Sequence, residues 1–167
     1  MDLPRPLFEM ASPMERFVPD QIVSGGQTGV DQGALDAAIA SGMKHGGWCP
    51  AGRRCETGPI PEHYRLQEHS SAYYPDRTEQ NVIDSDATLI VYRQTISGGT
   101  ALTQRLCRRI GKPFLRVAID HRSNAQEQII SWLGLVKPRV LNVAGPRESN
   151  AVGIQEQTRA LLTAVFG

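Results

Sequence analysis

The stretch Ser24-Gly25-Gly26-Gln27-Thr28-Gly29-Val30-Asp31 combines residue types suited to holding a small anion. A short apolar run at 21–23 precedes it and a helix-like run at 30–40 follows it, which predicts strand, glycine loop and helix. The first N–H groups of a helix lack partners within the helix, and the helix dipole makes that end positive. We therefore expect a phosphate or a similar anion here; the alternative is a tight strand-to-helix turn without a ligand.

The spacing of the glycines separates this loop from two common phosphate-binding motifs. No Gly-Lys-Ser/Thr follows it, so it is not a Walker A loop. The glycines at 25, 26 and 29 also differ from the Gly-x-Gly-x-x-Gly spacing of dinucleotide-binding loops.

Two further glycine loops each follow a predicted strand. Ser97-Gly98-Gly99-Thr100 comes after the apolar run 87–92, and Ala144-Gly145-Pro146-Arg147-Glu148-Ser149 comes after 140–143. Because the carboxyl ends of parallel strands share one sheet edge, we expect all three loops to face one cleft. The predicted ligand-binding residues are Gly25, Gly26, Gln27, Thr28, Gly29, Asp31, Arg53, Ser97, Gly98, Gly99, Thr100, Gly145 and Arg147.

Several of these residues also have a structural interpretation. Asp31 falls in the first turn of a helix, where a carboxylate complements the dipole. Thr100 suits an N-cap position, and Arg147 and Arg53 suit either a bidentate phosphate contact or a solvated surface. Arg105, with the other cations near the end of its helix, is interpreted as structural.

The alternation of apolar strands and amphipathic helices predicts an α/β fold. We expect strands near 21–23, 47–49, 87–92, 113–119 and 140–143, and helices near 30–41, 77–84, 100–110, 124–133 and 152–166. This order predicts a Rossmann-like, doubly wound, mostly parallel sheet of about five strands with helices on both faces. The proline- and glycine-rich stretch 50–75 is expected to be an irregular, functional loop.

Length and composition limit the classes of protein. The 167 residues fit a mobile, proline-rich tail at 1–19 and a single ligand-binding domain at 20–167. A formal net charge of +1 argues against a nucleic-acid binder. No apolar run approaches the roughly 20 residues that span a bilayer, so no membrane partner is expected.

Cysteine and histidine usage bears on compartment and metal binding. The three cysteines are too few for a disulfide scaffold and indicate reduced thiols in a cytoplasmic protein. Cys49, Cys55, His45, His63 and His69 fall within one region, but their spacing matches zinc motifs poorly, so no metal site is predicted. Nothing resembles an ordered Ser-His-Asp set, and no catalytic residue is predicted.

Four motifs taken together closely resemble a known family over about residues 20–167. They are Gly25-Gly26-Gln27-Thr28-Gly29-Val30-Asp31, Gly47-Trp48-Cys49-Pro50-Ala51-Gly52-Arg53, Arg77-Thr78-Glu79-Gln80-Asn81-Val82 with Asp84-Ser85-Asp86-Ala87-Thr88, and Ser97-Gly98-Gly99-Thr100. The family is called putative molybdenum carrier proteins, the circularly permuted YpsA-like branch of the SLOG superfamily. The loop 144–149 resembles the one that opens the chain in unpermuted relatives.

This resemblance implies a Rossmann-like fold that binds a phosphorylated, nucleotide-like ligand, with molybdenum cofactor or a nucleotide as the candidate. It also implies a homo-oligomer, a dimer or a tetramer. Related phosphoribohydrolases carry Gly-Thr-x-x-Glu, whereas here Gly99-Thr100-Ala101-Leu102 precedes Thr103. The missing acid favours binding over hydrolysis of nucleoside monophosphates, for which Glu79, Asp31 or Asp86 would have to substitute. A sensor module for a nucleotide signal is the third hypothesis.

Overall fold

The structure of the chain, a computed structural model, describes residues 16–120 and 123–167. The elements, in chain order, are β1 Gln21–Val23, α1 Val30–Ala40, β2 Lys44–Gly46, β3 Trp48–Cys49, β4 Arg54–Cys55, β5 Gly58–Pro59, β6 Gln67–Glu68, α2 Tyr74–Asp84, β7 Ala87–Tyr92, α3 Gly98–Ile110, β8 Phe114–Ala118, α4 Ala125–Val136, β9 Val140–Ala144, a 3-10 turn at Glu148–Asn150, and α5 Ile154–Phe166.

Five strands form the main sheet in the order β2-β1-β9-β7-β8, and every neighbouring pair is parallel. The last strand, β9, therefore lies at the centre, between β1 and β7. The predicted Rossmann-like α/β fold is confirmed. Because β1, β9 and β7 are neighbours, the loops that leave their carboxyl ends start side by side.

Apolar residues cover both faces of this sheet. The larger core joins the sheet to α1, α4 and α5, with fully buried Val30, Ile129 and Leu162 contributed by the three helices. On the opposite face, Val82 of α2 packs with Leu106 and Cys107 of α3. β7 is buried over nearly its whole length, as expected of a strand covered on both faces.

The segment 47–68 folds on itself rather than forming one irregular loop. β3 pairs with β6, and β4 pairs with β5 in a short antiparallel hairpin. A third apolar cluster under this segment includes Leu35, Cys49, Ile60 and Tyr64. The short strand predicted near 47–49 is present as β3, but it pairs with β6 outside the main sheet. The edge strand of the main sheet at this end is β2, Lys44–Gly46, which was not predicted. As an edge strand with one buried residue, β2 carries little of the apolar pattern that identifies strands.

The start of α2 and the end of α4 differ most from the predicted helix boundaries. α2 begins at Tyr74, three residues early, with Pro75 in its first turn, where a missing N–H costs nothing. α4 continues through Gly134 to Val136, and its C-cap residue, Lys137, itself adopts the left-handed conformation that glycine was expected to supply.

The described end of the N-terminal segment, residues 16–19, contacts the domain. Residues 1–15 of the predicted tail lie outside the described residues. At 16–19, Phe17 packs against the main core, and Arg16 Nη1 donates to the Ala164 carbonyl at 3.0 Å. Within the described part of the chain, none of the helices is both long enough and apolar enough to cross a bilayer.

Candidate functional site

A cleft of about 920 Å³ lies at the carboxyl ends of β1, β9 and β7. Residues from all three glycine loops line it, together with the start of α2 and the residues after β7. The volume is in the range of small-molecule sites. The cleft is therefore the candidate functional site.

The structure brings together eight of the thirteen predicted ligand-binding residues. Those that line the cleft are Gln27, Asp31, Ser97, Gly98, Gly99, Thr100, Gly145 and Arg147. Those that do not line it are Gly25, Gly26, Thr28, Gly29 and Arg53. Arg53 instead donates through Nη2 to the carbonyls of Ile60, Pro61 and Tyr64, so it holds the 47–68 segment together.

The first glycine loop is occupied by the protein's own groups. The N–H groups of residues 26–30 donate in turn to Ser24 Oγ, Asp31 Oδ2, Gln27 Oε1, Gln155 Oε1 and the Pro146 carbonyl. The expectation that this loop offers unpaired amide hydrogens is thus wrong for this conformation. Three of these donors are satisfied by side chains at 24–31 itself, and the other two by α5 and the third loop, against which loop one packs.

Gly29 shows why the first and third loops need glycine at their contact. Its φ is +82°, and a Cβ there would lie 2.4 Å from the Pro146 carbonyl oxygen. Any side chain would push the two loops apart. The glycine spacing that suggested a phosphate loop therefore serves packing between loops at this position.

Asp31 and Arg77 form a buried ion pair at the floor of the cleft. Arg77 Nη1 lies 3.4 Å from Asp31 Oδ2, and the side chains are 12% and 6% exposed. Burial raises the pKa of Asp31 above its ordinary value of 3.8, against the opposing charge of Arg77 and the hydrogen bond from the Gln27 N–H. The carboxylate thus occupies the anion position that the first loop was expected to offer a ligand.

Sequence reasoning missed Arg77 as a site residue. Its guanidinium packs directly on Gly25, where a Cβ would lie 1.3 Å from Nη1. Its Nε is buried and has no hydrogen-bond partner. The available signal was its place in the Arg77-Thr78-Glu79-Gln80-Asn81 motif at the start of a helix.

Glu56, at the turn of the β4–β5 hairpin, binds the first and third loops together. Its carboxylate accepts hydrogen bonds from Thr28 Oγ1, from the Ser149 N–H at 3.1 Å and from Ser149 Oγ at 2.5 Å. Arg147 Nη1 lies 3.9 Å away. Although partial burial acts to raise it, the hydrogen bonds from Ser149 and Thr28 hold the pKa of Glu56 below its ordinary value of 4.5. Nothing in the sequence pattern pointed to this contact.

The start of α3 differs from loop one because it is open to the cleft. Ser97 is the N-cap residue but makes no side-chain capping bond, and Ser97, Gly98 and Gly99 are exposed. A Cβ at Gly98 or Gly99 would meet nothing within 4 Å. The positive end of this 13-residue helix is therefore accessible from the cleft.

The threonines of this helix have structural contacts. Thr100 is buried and lies inside α3, so its interpretation as the N-cap is wrong; the cap is Ser97. Thr103, at the position where related hydrolases carry an acid, donates from Oγ1 to the Gly99 carbonyl at 3.0 Å. It consequently braces the first turn.

Positive charge dominates the cleft lining. Four arginines line it, Arg77, Arg93, Arg105 and Arg147, whereas Asp31 is the one acidic residue that does so among the described residues. The purely structural role expected of Arg105 does not account for its place in the lining. Arg93 is anchored by the Val152 carbonyl and by Gln157.

The other acidic candidates lie elsewhere. Glu79 pairs with Arg109 at 2.9 Å, and Asp86 accepts the N–H groups of Arg139 and Val140. In residues 16–120 and 123–167, no group of three or more His, Cys, Asp or Glu side chains is arranged to hold a metal ion. The cysteines Cys49, Cys55 and Cys107 are free and buried.

Comparisons with known proteins agree with the fold. The model of the circularly permutated YpsA SLOG family matches residues 22–166. The chain is 43% identical to a protein from Syntrophus aciditrophicus SB named putative molybdenum carrier protein, whose crystal structure was determined at 1.45 Å. The match has a TM-score of 0.86 and covers 91% of this chain and 97% of that one. No curated protein matches the chain. The family and this relative support a ligand-binding role.

Proposed function

Since this chain belongs to the circularly permuted YpsA family of the SLOG superfamily, we propose that it binds a phosphorylated, nucleotide-like small molecule in the cleft. The phosphate lies at the start of α3, near Gly98, Gly99 and Thr100. Arg147 and the other cleft arginines neutralise its charge.

The observation that carries this proposal is that the amide donors of loop one are occupied, whereas the start of α3 is open. Loop one has its amide donors paired internally, whereas the first turn of α3 is exposed and unobstructed. Four arginines against one carboxylate make the same cleft favourable for an anion. A helix N-terminus beside arginine side chains is a common arrangement for phosphate recognition.

The relative's name speaks only of carrying molybdenum, and molybdenum cofactor, a pterin that bears a phosphate, is the candidate ligand that the family resemblance implies. We propose it on that ground, with a nucleotide as the other candidate. A cytoplasmic location and a homo-oligomeric state, a dimer or a tetramer, are proposals of the same kind.

The positions of the three candidate carboxylates fit ligand binding better than hydrolysis. Of the three carboxylates able to replace the acid missing at Thr103, Glu79 and Asp86 have partners outside the cleft lining. Asp31 is buried and paired with Arg77. A water-activating carboxylate would need to reach the ligand freely.

A charge placed at Gly99 tests the site. We expect Gly99→Asp to abolish binding of AMP and GMP, because the carboxylate enters the space assigned to phosphate at the helix terminus. Gly99→Ala is the matched control, since it adds one methyl group in open space. Thermal unfolding measures both: ligand at 100 times its Kd stabilises the folded protein by roughly 2.7 kcal/mol.

Two results contradict the proposal. One is a wild-type protein whose stability does not respond to AMP, GMP or molybdenum cofactor. The other is a Gly99→Asp variant that binds as tightly as wild type. Release of free base from AMP would support the hydrolase hypothesis instead.

A further inference from the structure

Tyr74 places an aromatic ring in the wall of the cleft. It is the first residue of α2 and lines the cleft with the glycine loops. The side chain is 38% exposed. Among the lining residues it is the one aromatic side chain that the described part of the chain provides.

The contacts around Tyr74 constrain its backbone and place a cation beside its ring. Its carbonyl accepts a hydrogen bond from Thr78 Oγ1 at 3.1 Å, and Pro75 restricts the backbone at the helix start. The guanidinium carbon of Arg77 lies 5.8 Å from the ring centroid. Arg77 is in turn fixed by Asp31 and by its packing on Gly25. The ring thus lies at a constrained helix start, next to a guanidinium that is itself held in place.

We propose that Tyr74 stacks on the planar heteroaromatic ring of the ligand while the phosphate lies at the start of α3. This inference rests on the proposed function and extends it to the ligand's other end. A flat, exposed aromatic face beside a cation binds purine or pterin rings without requiring a particular hydrogen-bond pattern. Tyr74 thus determines specificity: it selects phosphorylated ligands with an aromatic ring over sugar phosphates of similar charge.

Two ligands that differ by the ring test this role. AMP carries phosphate, ribose and base, and ribose 5-phosphate lacks the base. In titration calorimetry we expect Tyr74→Ala to weaken AMP binding roughly ten- to hundredfold. The affinity for ribose 5-phosphate should change less than about twofold, because the phosphate contacts stay intact.

Two variants serve as controls, and a third is a second test of the ring. Tyr74→Phe keeps the ring and should bind AMP as wild type does. Tyr73→Ala removes the neighbouring ring, which is 67% exposed and does not line the cleft, and should also bind normally. Tyr74→Leu keeps apolar volume without a π face; it should lose affinity for AMP, and it replaces Tyr74→Ala if that variant does not fold.

The outcomes separate this inference from the function on which it rests. Equal loss of AMP and ribose 5-phosphate, or unchanged AMP affinity in Tyr74→Ala and Tyr74→Leu, would overturn the stacking role while leaving the phosphate site in place. A wild-type protein that binds neither ligand would overturn the proposed function, and the stacking role with it.

Discussion

Asp31 supplies, from within the chain, the negative charge that the first glycine loop was expected to bind. A glycine loop before a helix offers amide donors to an anion, and here the anion is the protein's own carboxylate, held by the Gln27 N–H and by Arg77. The electrostatic preference of the loop is the one expected from the sequence. The group that satisfies it belongs to the chain.

Removing this internal charge should strengthen ligand binding. In Asp31→Asn, the amide oxygen can still accept from the Gln27 N–H, while Arg77 loses its counter-charge and becomes available to a phosphate. We expect the affinity for AMP to rise about three- to tenfold, as measured by titration calorimetry.

A surface variant controls for the change in overall charge. Asp20→Asn removes the same charge at an exposed ion pair with Arg139, outside the cleft lining, and should leave the affinity unchanged. If Asp31→Asn binds AMP no more tightly than wild type, Arg77 does not contribute charge to the ligand.

At the scale of elements, the β4–β5 hairpin holds two of the three loops together through one carboxylate. Glu56 accepts from Thr28 in the first loop and from Ser149 in the third. The hairpin itself is only two residues on each strand. Its position relative to the sheet therefore depends strongly on this side chain.

Glu56→Gln should destabilise the fold at neutral pH by about 1–3 kcal/mol, the usual cost of losing charged hydrogen bonds. Since the folded-state pKa of Glu56 lies below its ordinary value of 4.5, its contribution is fully present above that value. It is lost as the pH falls through the lower, folded-state pKa. Urea unfolding measures this: the difference in the free energy of unfolding between wild type and Glu56→Gln should be smaller at about pH 3 than at pH 7.

The same substitution at Glu62 is the control. Glu62 is exposed in the same segment, and Glu62→Gln should change the free energy of unfolding by less than about 0.5 kcal/mol. A Glu56→Gln penalty as large at pH 3 as at pH 7 would show that shape, and not charge, sets the cost.

Part of the fold could be predicted from the sequence, whereas contacts between loops, such as those of Glu56, could not. Apolar periodicity identified β7 and the other buried strands, because burial on both faces leaves a continuous apolar run. It did not identify β2, an edge strand with polar residues. Local glycine patterns located the three loops. They did not show which loop donors are already paired. Two of the partners, Gln155 and Pro146, lie more than a hundred residues away, and the local ones depend on how the side chains of the loop fold back on its own backbone.

The site residues also divide into those that local sequence predicts and those that it does not. Those at the start of α3 were predicted from local sequence, whereas Arg77, Tyr74 and Glu56 were missed as site residues. Arg77 lies in the first turn of α2, which starts three residues before its predicted boundary. Glu56 reaches it because the 47–68 segment forms small sheets whose pairing has no period in the sequence.

At the scale of the whole molecule, charge is distributed unevenly. The formal net charge is only +1, yet the cleft lining contains four arginines and one carboxylate. A nearly neutral protein gives little long-range attraction to anions. The attraction must therefore act over short distances inside the cleft, where salt screens it less than at an open surface.

Salt and one arginine substitution test this distribution. We expect the affinity for AMP to fall severalfold between 0.05 and 0.5 M KCl, because the Debye length shortens and the partly exposed Arg147 is screened. Arg147→Gln should weaken AMP binding about three- to tenfold at low salt and reduce its salt dependence. Arg139→Gln, an equal loss of charge at an exposed residue outside the cleft, should do neither. If both variants weaken binding equally, net charge rather than the cleft governs the affinity, and the ligand does not lie beside Arg147.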